Sequence, residues 1–408
     1  MDKVLLRQSY EYLSKIIREG AFINVALSDL KNTPDRLLIT KIVYGVIERY
    51  YELNQIVTAL CPKTPKPVIK IVLLQAIYGI KYLEIPNYAI VNASVDLVQD
   101  VGKKELKGFV NAVLKKVTRD EYVLPDDEKS VLEAKYNLPF ALIKAIQEDL
   151  GDKAESVLMP PRDAREHVRI SQKANKEEVL SSIGEYEESS VGGYFVKNNE
   201  EVKKLFEKGK LTFQSPSSMF AVQALGDVDG KTLLDVCSAP GGKAVYSAER
   251  GAIVTACDLH PIRVRLIEKY ATRMGIKLKA MVNDGKKDRP EWHGKFDVVT
   301  VDAPCSGLGV IAKRPDIALD YDHRKYQELI KEQRAILKQS AKYVKRGGIL
   351  LYSTCTVLKA ENETAVRDFL VKNSEFEMLP FENAQTGEIT LYPGKEFDGF
   401  YVAKLRKK

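Results

Sequence analysis

Two cysteines follow predicted β-strands closely, and a cysteine in such a place can act as a nucleophile. Cys305 lies in DAPCSG after the apolar run FDVVTV, and Cys355 lies in STCT at the end of GILLYS. The carboxyl ends of parallel strands meet at one edge of a sheet, where ligands bind. We therefore expect both thiols at this edge, because a nucleophilic thiolate needs partial access to solvent and an electropositive setting. Asp302 adds a carboxylate three residues before Cys305.

A glycine-containing turn after an earlier predicted strand indicates a ligand with a nucleoside. Asp258 ends the next predicted strand, where a carboxylate can bind ribose hydroxyls, and Asp284 follows the third, where it suits the amino group of adenine. The alternative is that each aspartate only caps a loop. The turn matches neither the dinucleotide nor the NTP-binding glycine pattern, so another nucleoside-bearing cofactor is predicted. Its seven residues are Cys237, Ser238, Ala239, Pro240, Gly241, Gly242 and Lys243.

The other cysteines and the histidines do not predict a metal site. Five cysteines form no C-x-x-C pair, and the four histidines are widely spaced. Neither a zinc centre nor a disulfide framework is therefore indicated. A lone thiol in an apolar run is usually a buried, structural residue, and we expect this of Cys61 and Cys257.

Three kinds of sequence pattern succeed one another along the chain. Up to about residue 119 the apolar residues recur at helical spacing, and Thr33-Pro34-Asp35 predicts a helix start. A linker around residues 124–127 leads to a mixture of helical and strand-like pieces, which predicts a small α/β module. From about residue 230 short apolar runs alternate with helices, as in a doubly wound, mostly parallel sheet: TLLDV, IVTAC, LKAMV, FDVVTV, GILLYS and FYVAKL.

The composition is that of a soluble globular enzyme, and the charge permits a polyanionic partner. The 408 residues include 63 Lys and Arg against 56 Asp and Glu, a net charge of +7, which is compatible with nucleic acid but does not require it. No apolar stretch reaches the length of a membrane helix, and the first twenty residues lack the features of a secretory signal. We expect a cytoplasmic protein without membrane contact.

The motifs together resemble the Nol/Nop/Sun family of S-adenosylmethionine-dependent RNA cytosine-5 methyltransferases. The matching segments cover about residues 210–408 and are SAPGGK, Asp258, Asp284, DAPCSGLGVIAKRPDI, LLYSTCTVLKAENE and DGFYVAKL. Three further segments resemble the NusB-like RNA-binding domain of one branch of the family: DRLLITKIVYGVIERYYELNQIV, IPNYAIVNASVDLV and KGFVNAVLKKV. The resemblance implies an all-α NusB-like bundle (1–124), a small α/β RNA-binding module (125–220) and a Rossmann-like class I methyltransferase domain (221–408).

The resemblance also implies a covalent mechanism. Cys355 is implied to add to carbon 6 of cytosine, which makes carbon 5 nucleophilic, and Cys305 to assist loss of the carbon-5 proton or release of the product. Asp302 is expected to hydrogen-bond nitrogen 3 and the amino group of the base. The residue types alone do not choose between the thiols, because DNA cytosine-5 methyltransferases use a Pro-Cys thiol. Residues 237–243, Asp258, Asp284 and Asp302 are the expected S-adenosylmethionine site, and no metal is expected.

The expected function is methylation of carbon 5 of one cytosine in small-subunit ribosomal RNA, by a monomer. Two alternatives stay open: the same chemistry on transfer RNA, and a non-catalytic RNA-binding assembly factor. A decayed methyltransferase domain would not need to keep Asp258, Asp302, Cys305 and Cys355, which argues against the second. The basic segment from Lys103 to Arg119 fits contacts with RNA phosphates, but it also fits an ordinary surface helix.

Overall fold

The computed structural model describes residues 3–30 and 35–408, and its internal contacts divide the chain into two compact units. One unit lies within residues 1–148 and includes 311–321, and the other comprises 149–310 and 322–408. The predicted division into three domains at 124 and 220 stays a prediction. The predicted helix start at Thr33 and Pro34 lies outside the described residues.

The described residues form eighteen α-helices and twelve strands. The helices are α1 Lys3–Glu19, α2 Ile23–Ala26, α3 Arg36–Glu48, α4 Tyr50–Leu60, α5 Pro67–Tyr82, α6 Asn87–Asp100, α7 Lys107–Val117, α8 Glu128–Tyr136, α9 Phe140–Leu150, α10 Ala154–Leu158, α11 Lys176–Ile183, α12 Glu200–Glu207, α13 Pro216–Gln223, α14 Gly242–Glu249, α15 Pro261–Arg273, α16 Ile317–Asp320, α17 His323–Ala341 and α18 Glu363–Lys372. The strands are β1 Glu166–Ile170, β2 Tyr186–Glu188, β3 Tyr194–Val196, β4 Leu211–Phe213, β5 Thr232–Asp235, β6 Ile253–Asp258, β7 Lys279–Val282, β8 Phe296–Asp302, β9 Val344–Thr354, β10 Phe376–Met378, β11 Glu388–Leu391 and β12 Phe400–Lys407.

The N-terminal unit is the predicted all-α bundle, and helix α5 is its centre. Residues 71–79 of α5 are almost all apolar and buried, which is typical of a helix enclosed on every side. Helices α1, α3, α4, α6 and α7 pack against it. The predicted basic helix is confirmed as α7, and its Lys115 and Lys116 are exposed. Its contact with RNA stays a prediction.

A four-stranded antiparallel sheet in the order β2-β3-β1-β4 confirms the predicted small α/β module. Strands β1 and β3 coincide with two predicted runs. Strands β2 and β4 were not predicted, because neither is a continuous apolar run like the YFV of β3, and β2 is exposed throughout. The apolar core of this small module includes Val179 of α11 and Val202 of α12.

The predicted doubly wound sheet is confirmed, with the order β10-β12-β9-β8-β5-β6-β7 and β11 paired to β12. Strands β5 to β9 are parallel, whereas β12 runs antiparallel between β9 and β10. The chain moves outward from β5 through β6 to β7 and then returns to the other side of β5 as β8. A crevice opens at such a reversal of strand order, beyond the carboxyl ends of the strands. In the described parts of the chain no helix has the length and apolar character that a membrane crossing needs.

A pair of glycine substitutions tests the packing of the helical bundle. A Cβ on Gly45 of α3 would lie 2.0 Å from Cζ of the buried Tyr78 ring in α5, whereas a Cβ on Gly108 of α7 would meet no atom within 4 Å. We expect Gly45→Ala to destabilise the protein by about 1–3 kcal/mol through overpacking. The control, Gly108→Ala, should stabilise it by roughly 0.5–1 kcal/mol through helix propensity. Urea unfolding followed by circular dichroism measures both, and equal effects of the two changes would contradict this packing.

Candidate active site

The two cysteines that follow predicted strands contact each other. Strands β8 and β9 are parallel neighbours with Asp302 in register with Ser353, so the loops after them leave the same edge of the sheet. The Sγ atoms of Cys305 and Cys355 lie 3.1 Å apart, and both side chains are half-buried. The structure therefore brings together two thiols that are 50 residues apart in the sequence.

Beside the thiols, Lys243 and Asp302 form an ion pair between the segments that follow β5 and end β8, the two neighbouring strands at which the strand order reverses. Lys243 follows β5 and Asp302 ends β8, and Lys243 Nζ lies 2.6 Å from Asp302 Oδ2. Ser353 Oγ donates to Asp302 Oδ1 at 3.0 Å. Lys243 Nζ also lies 5.3 Å from the centre of the Phe400 ring. The predicted contact of Lys243 with a cofactor stays a prediction, whereas its contact with Asp302 was not foreseen.

Burial and neighbouring groups raise the pKa of four of the five thiols. The hydrogen bond with Cys355, together with burial, raises the pKa of Cys305 well above its usual value. Burial raises the pKa of Cys237 and of Cys61, and raises that of Cys257 to about 12. Cys61 and Cys257 are buried, as expected of structural thiols. Because the thiolate is the nucleophilic form, these four cysteines are poor candidates for the attacking group.

A positive charge acts on the remaining thiol, Cys355. Burial opposes the charge of Lys243, but the charge and hydrogen bond of Asp302 and the charge of Asp235 act in the other direction, and the net pKa of Lys243 is raised. Cys355 is among the groups that contribute to that rise, so the ammonium of Lys243 lies close enough to interact with the Cys355 sulfur. The electropositive setting that a nucleophilic thiol needs is therefore present.

The predicted cofactor residues lie along the adjacent strand ends. Ser238 N donates to Cys257 O at 2.7 Å, and Asn283 N donates to Asp258 O at 3.0 Å, so the turn after β5 and the ends of β6 and β7 are linked. The buried Asp258 accepts from His260 N at 3.3 Å. Asp284 accepts from Lys286 N at 3.0 Å, which is the loop-capping role given above as the alternative.

One buried carboxylate in this region was missed. Asp235, the last residue of β5, is 1% exposed. Among the described residues, its Oδ1 atom and the Oγ atom of Ser238 are buried without a hydrogen-bond partner. Unsatisfied buried polar atoms are rare, and a bound ligand or water is one way in which their hydrogen bonding is completed. An acidic residue directly before a glycine turn was the signal in the sequence.

The turn and the ends of the strands beside it fit S-adenosylmethionine, which is a cation with a ribose. The carboxylates of Asp235 and Asp258 suit positive charge and hydroxyl groups, and the orphaned atoms of Asp235 and Ser238 are free to bind a polar ligand. Gly241 has a φ of 108° and is packed against Ile267, so a side chain there would be strained. No group of three or more possible metal ligands occurs among the described residues.

This fold and this site define a Rossmann-like methyltransferase, and comparison with known proteins specifies the family. A model of the 16S rRNA methyltransferase RsmB/F family matches residues 222–406, and a model of the NusB family matches residues 6–119. The probable ribosomal RNA small subunit methyltransferase B of Bacillus subtilis (strain 168) is 30% identical over 100% of both chains. The ribosomal RNA small subunit methyltransferase B of Vibrio cholerae serotype O1 is 29% identical, over 92% of this chain and 90% of the relative.

Solved structures of other proteins share the fold of this chain. The crystal structure of PH0851 covers 100% of this chain and 99% of its own, with 27% identity and a TM-score of 0.86. That of NSun6 from Pyrococcus horikoshii with SFG covers 65% of this chain and 97% of its own, with 19% identity and a TM-score of 0.56, and shows a shared fold.

The chain belongs to the RsmB/F family of 16S rRNA methyltransferases and carries a NusB-type domain at its N-terminal end. The predicted family, the predicted NusB-like and Rossmann-like folds and S-adenosylmethionine as the cofactor are thereby confirmed.

The buried Asp235 predicts a specific dependence of stability on pH. Burial raises the pKa of Asp235 from 3.8 to about 6. The fold therefore favours the protonated acid, and that stability is lost as the pH rises from about 4 through 6. Above pH 6 the buried carboxylate costs up to about 3 kcal/mol, a cost that the amide of Asp235→Asn does not have.

Thermal unfolding without cofactor checks this expectation. The Tm advantage of Asp235→Asn over wild type should appear between pH 4 and 6 and stay constant above that range. Asp229→Asn, on an exposed residue of the same unit, is the control and should show no such step. An advantage of equal size at all pH values would mean that ionisation of Asp235 is not its cause.

Proposed function

We propose that this methyltransferase acts on carbon 5 of a cytosine in small-subunit ribosomal RNA, through a covalent bond between Cys355 and the base. The contact of two thiols at 3.1 Å beside the Lys243–Asp302 ion pair is the observation that carries the proposal. Methyl transfer to an oxygen or an amino nitrogen needs no thiol, whereas carbon 5 of cytosine is too weak a nucleophile without covalent activation. Family membership supports ribosomal RNA as the substrate class.

Cys355 is assigned as the nucleophile. Its thiolate adds to carbon 6 of the cytosine, and the electron pair of the 5,6 double bond becomes available at carbon 5. Lys243, whose ammonium interacts with the Cys355 sulfur, would stabilise negative charge on that sulfur as the bond to the base forms and breaks. Asp302 would accept hydrogen bonds from the amino group of the base and from ring nitrogen 3, which takes up a proton from solvent as negative charge develops there in the adduct. S-adenosylmethionine supplies the methyl group from its sulfonium when bound.

Cys305 is assigned to the second half of the reaction. After methylation carbon 5 carries both a methyl group and a proton. A solvent water molecule accepts that proton, and the electron pair it leaves re-forms the 5,6 double bond as the bond between sulfur and carbon 6 breaks. The raised pKa of Cys305 keeps it as a neutral thiol in contact with Cys355. A neutral thiol can donate a hydrogen bond to the departing sulfur, which favours release of the product. Cleavage restores the double bond and the Cys355 thiolate.

The cofactor would be held by the turn after β5 and by the neighbouring strand ends. Residues 237–242 would present their backbone to the cofactor. Lys243 would orient Asp302, to which it donates a hydrogen bond, at the boundary between cofactor and base. Asp258 and Asp284 are assigned to the ribose and the adenine amino group, and Asp235 to positive charge on the ligand. The target base must leave its stack to reach the thiols, so we expect a single-stranded or flipped cytosine. Helix α7 would contact phosphates and position the RNA.

Variants of the two thiols test this assignment. We expect wild-type protein with labelled S-adenosylmethionine to form 5-methylcytosine in small-subunit ribosomal RNA, and Cys355→Ala to reduce the rate by about 10³-fold or more, as loss of a nucleophile does. Cys305→Ala should instead accumulate a protein–RNA adduct that survives denaturing electrophoresis. Nucleoside analysis and the gel measure both results.

Controls in the same experiment separate the alternatives. Cys257→Ala removes a buried thiol that the proposed mechanism does not use, so this variant should retain activity. Labelling of transfer RNA alone would move the substrate class to the first alternative. Cofactor binding without labelling of any RNA, including RNA in a partly assembled subunit, would favour the assembly factor.

A further inference from the structure

A buried polar network lies directly behind the two thiols. Glu361 and Asn362 precede helix α18, and both side chains are 0% exposed. A buried carboxylate and a buried amide are costly unless their hydrogen bonds are complete. Their partners are the residues that flank Cys305 and Cys355, so the network has a possible role besides stability.

Glu361 is bonded to the Cys305 loop. Ser306 N donates to Glu361 Oε2 at 2.9 Å, and Ser306 Oγ donates to Oε1 at 2.6 Å. Gln333 of α17 donates from Nε2 both to Glu361 Oε2 at 2.8 Å and to Pro304 O at 2.9 Å. The residues on either side of Cys305 are therefore fixed by one carboxylate and one amide. The backbone of the loop has little freedom to move its thiol away from Cys355.

Asn362 is bonded to the residues on either side of Cys355. Thr354 Oγ1 donates to Asn362 Oδ1 at 2.6 Å, and Asn362 Nδ2 donates to Thr356 O at 3.1 Å. Both threonines are fully buried. One amide thus spans Cys355 and sets the backbone conformation from which its side chain projects.

The two halves of the network are joined, so the separation of the thiols is set jointly. Ser306 Oγ and Thr356 Oγ1 lie 2.8 Å apart. Since the Ser306 hydroxyl donates to Glu361, the Thr356 hydroxyl must donate to Ser306. This chain of hydrogen bonds connects the residue after Cys355 with the residue after Cys305.

We propose that Glu361 and Asn362 are positioning residues, with Glu361 holding the Cys305 loop and Asn362 holding Cys355, so that the two thiols stay in contact during the reaction. The inference rests on the proposed function, because it assigns the two residues to different halves of the same reaction. Loss of the Glu361 contacts should slow the release step, and loss of the Asn362 contacts should slow formation of the adduct.

The test compares variants of similar side-chain size in the full-length protein. Glu361→Met removes the acceptor, and Glu361→Gln keeps one oxygen for Ser306 N. Asn362→Leu removes both bonds around Cys355. Glu363→Met is the matched control, because Glu363 accepts from Thr390 and bonds to neither thiol loop. Turnover, the KM for RNA and the fraction of protein trapped as adduct are measured with unmodified small-subunit ribosomal RNA.

Substitutions at the two positions are expected to differ in the amount of adduct that accumulates. Glu361→Met should lower kcat by about tenfold or more, with KM changed by less than about twofold, and should accumulate adduct as Cys305→Ala does. Glu361→Gln should recover most of kcat. Asn362→Leu should lower kcat by a similar factor without accumulating adduct. Glu363→Met should resemble wild type in both kcat and adduct.

Three results would overturn the assignment. Equal adduct fractions in Glu361→Met and Asn362→Leu would reduce the network to a structural role. If Glu361→Gln recovers none of the kcat that Glu361→Met loses, an acceptor role for Glu361 is excluded. If Glu361→Met does not fold, as judged by cofactor binding and Tm, Ser306→Ala carries the test, and a wild-type adduct fraction there contradicts the proposal. Failure of the proposed function itself is distinct, because wild type would then form no 5-methylcytosine and Cys305→Ala would form no adduct.

Discussion

Two sulfur atoms held in contact at the carboxyl edge of a parallel sheet are the constraint on which the site depends. The thiols belong to segments 50 residues apart, and their Sγ atoms are separated by 3.1 Å. The parallel pairing of β8 with β9 aligns the two strand ends. Pairing alone would leave two short loops free to move, and the hydrogen bonds of Glu361, Asn362 and Gln333 remove that freedom.

The charged and buried groups around the two thiols fit the different roles proposed for Cys305 and Cys355. The shared hydrogen bond and burial raise the pKa of Cys305, while the ammonium of Lys243 lies close enough to the Cys355 sulfur to interact with it. Lys243 is in turn held by Asp302. The two sulfurs therefore have different surroundings, which suits covalent attack by one thiol followed by assisted release by the other.

Patterns along the chain predicted the elements with long apolar runs but not those that depend on tertiary neighbours. The strands from β5 to β9 and β12 are apolar runs, so the sheet and the edge that carries both thiols could be foreseen. Strands β10 and β11 have three and four residues and give no such signal. The ion pair of Lys243 with Asp302 needs β5 beside β8, an order that the sequence does not state. Glu361 stands in the polar string AENE, which is typical of a surface, yet it is fully buried.

Trapping the covalent intermediate in the wild-type protein tests the central claim most directly. A small-subunit ribosomal RNA in which 5-fluorocytosine replaces cytosine keeps a fluorine where the carbon-5 proton should leave, so the enzyme stays bonded to the base after methylation. Digestion and mass spectrometry of the complex then identify the residue that carries the nucleotide. We expect the nucleotide, with one added methyl group, on Cys355. Attachment to Cys305, or methylated RNA without any attached protein, would contradict the account.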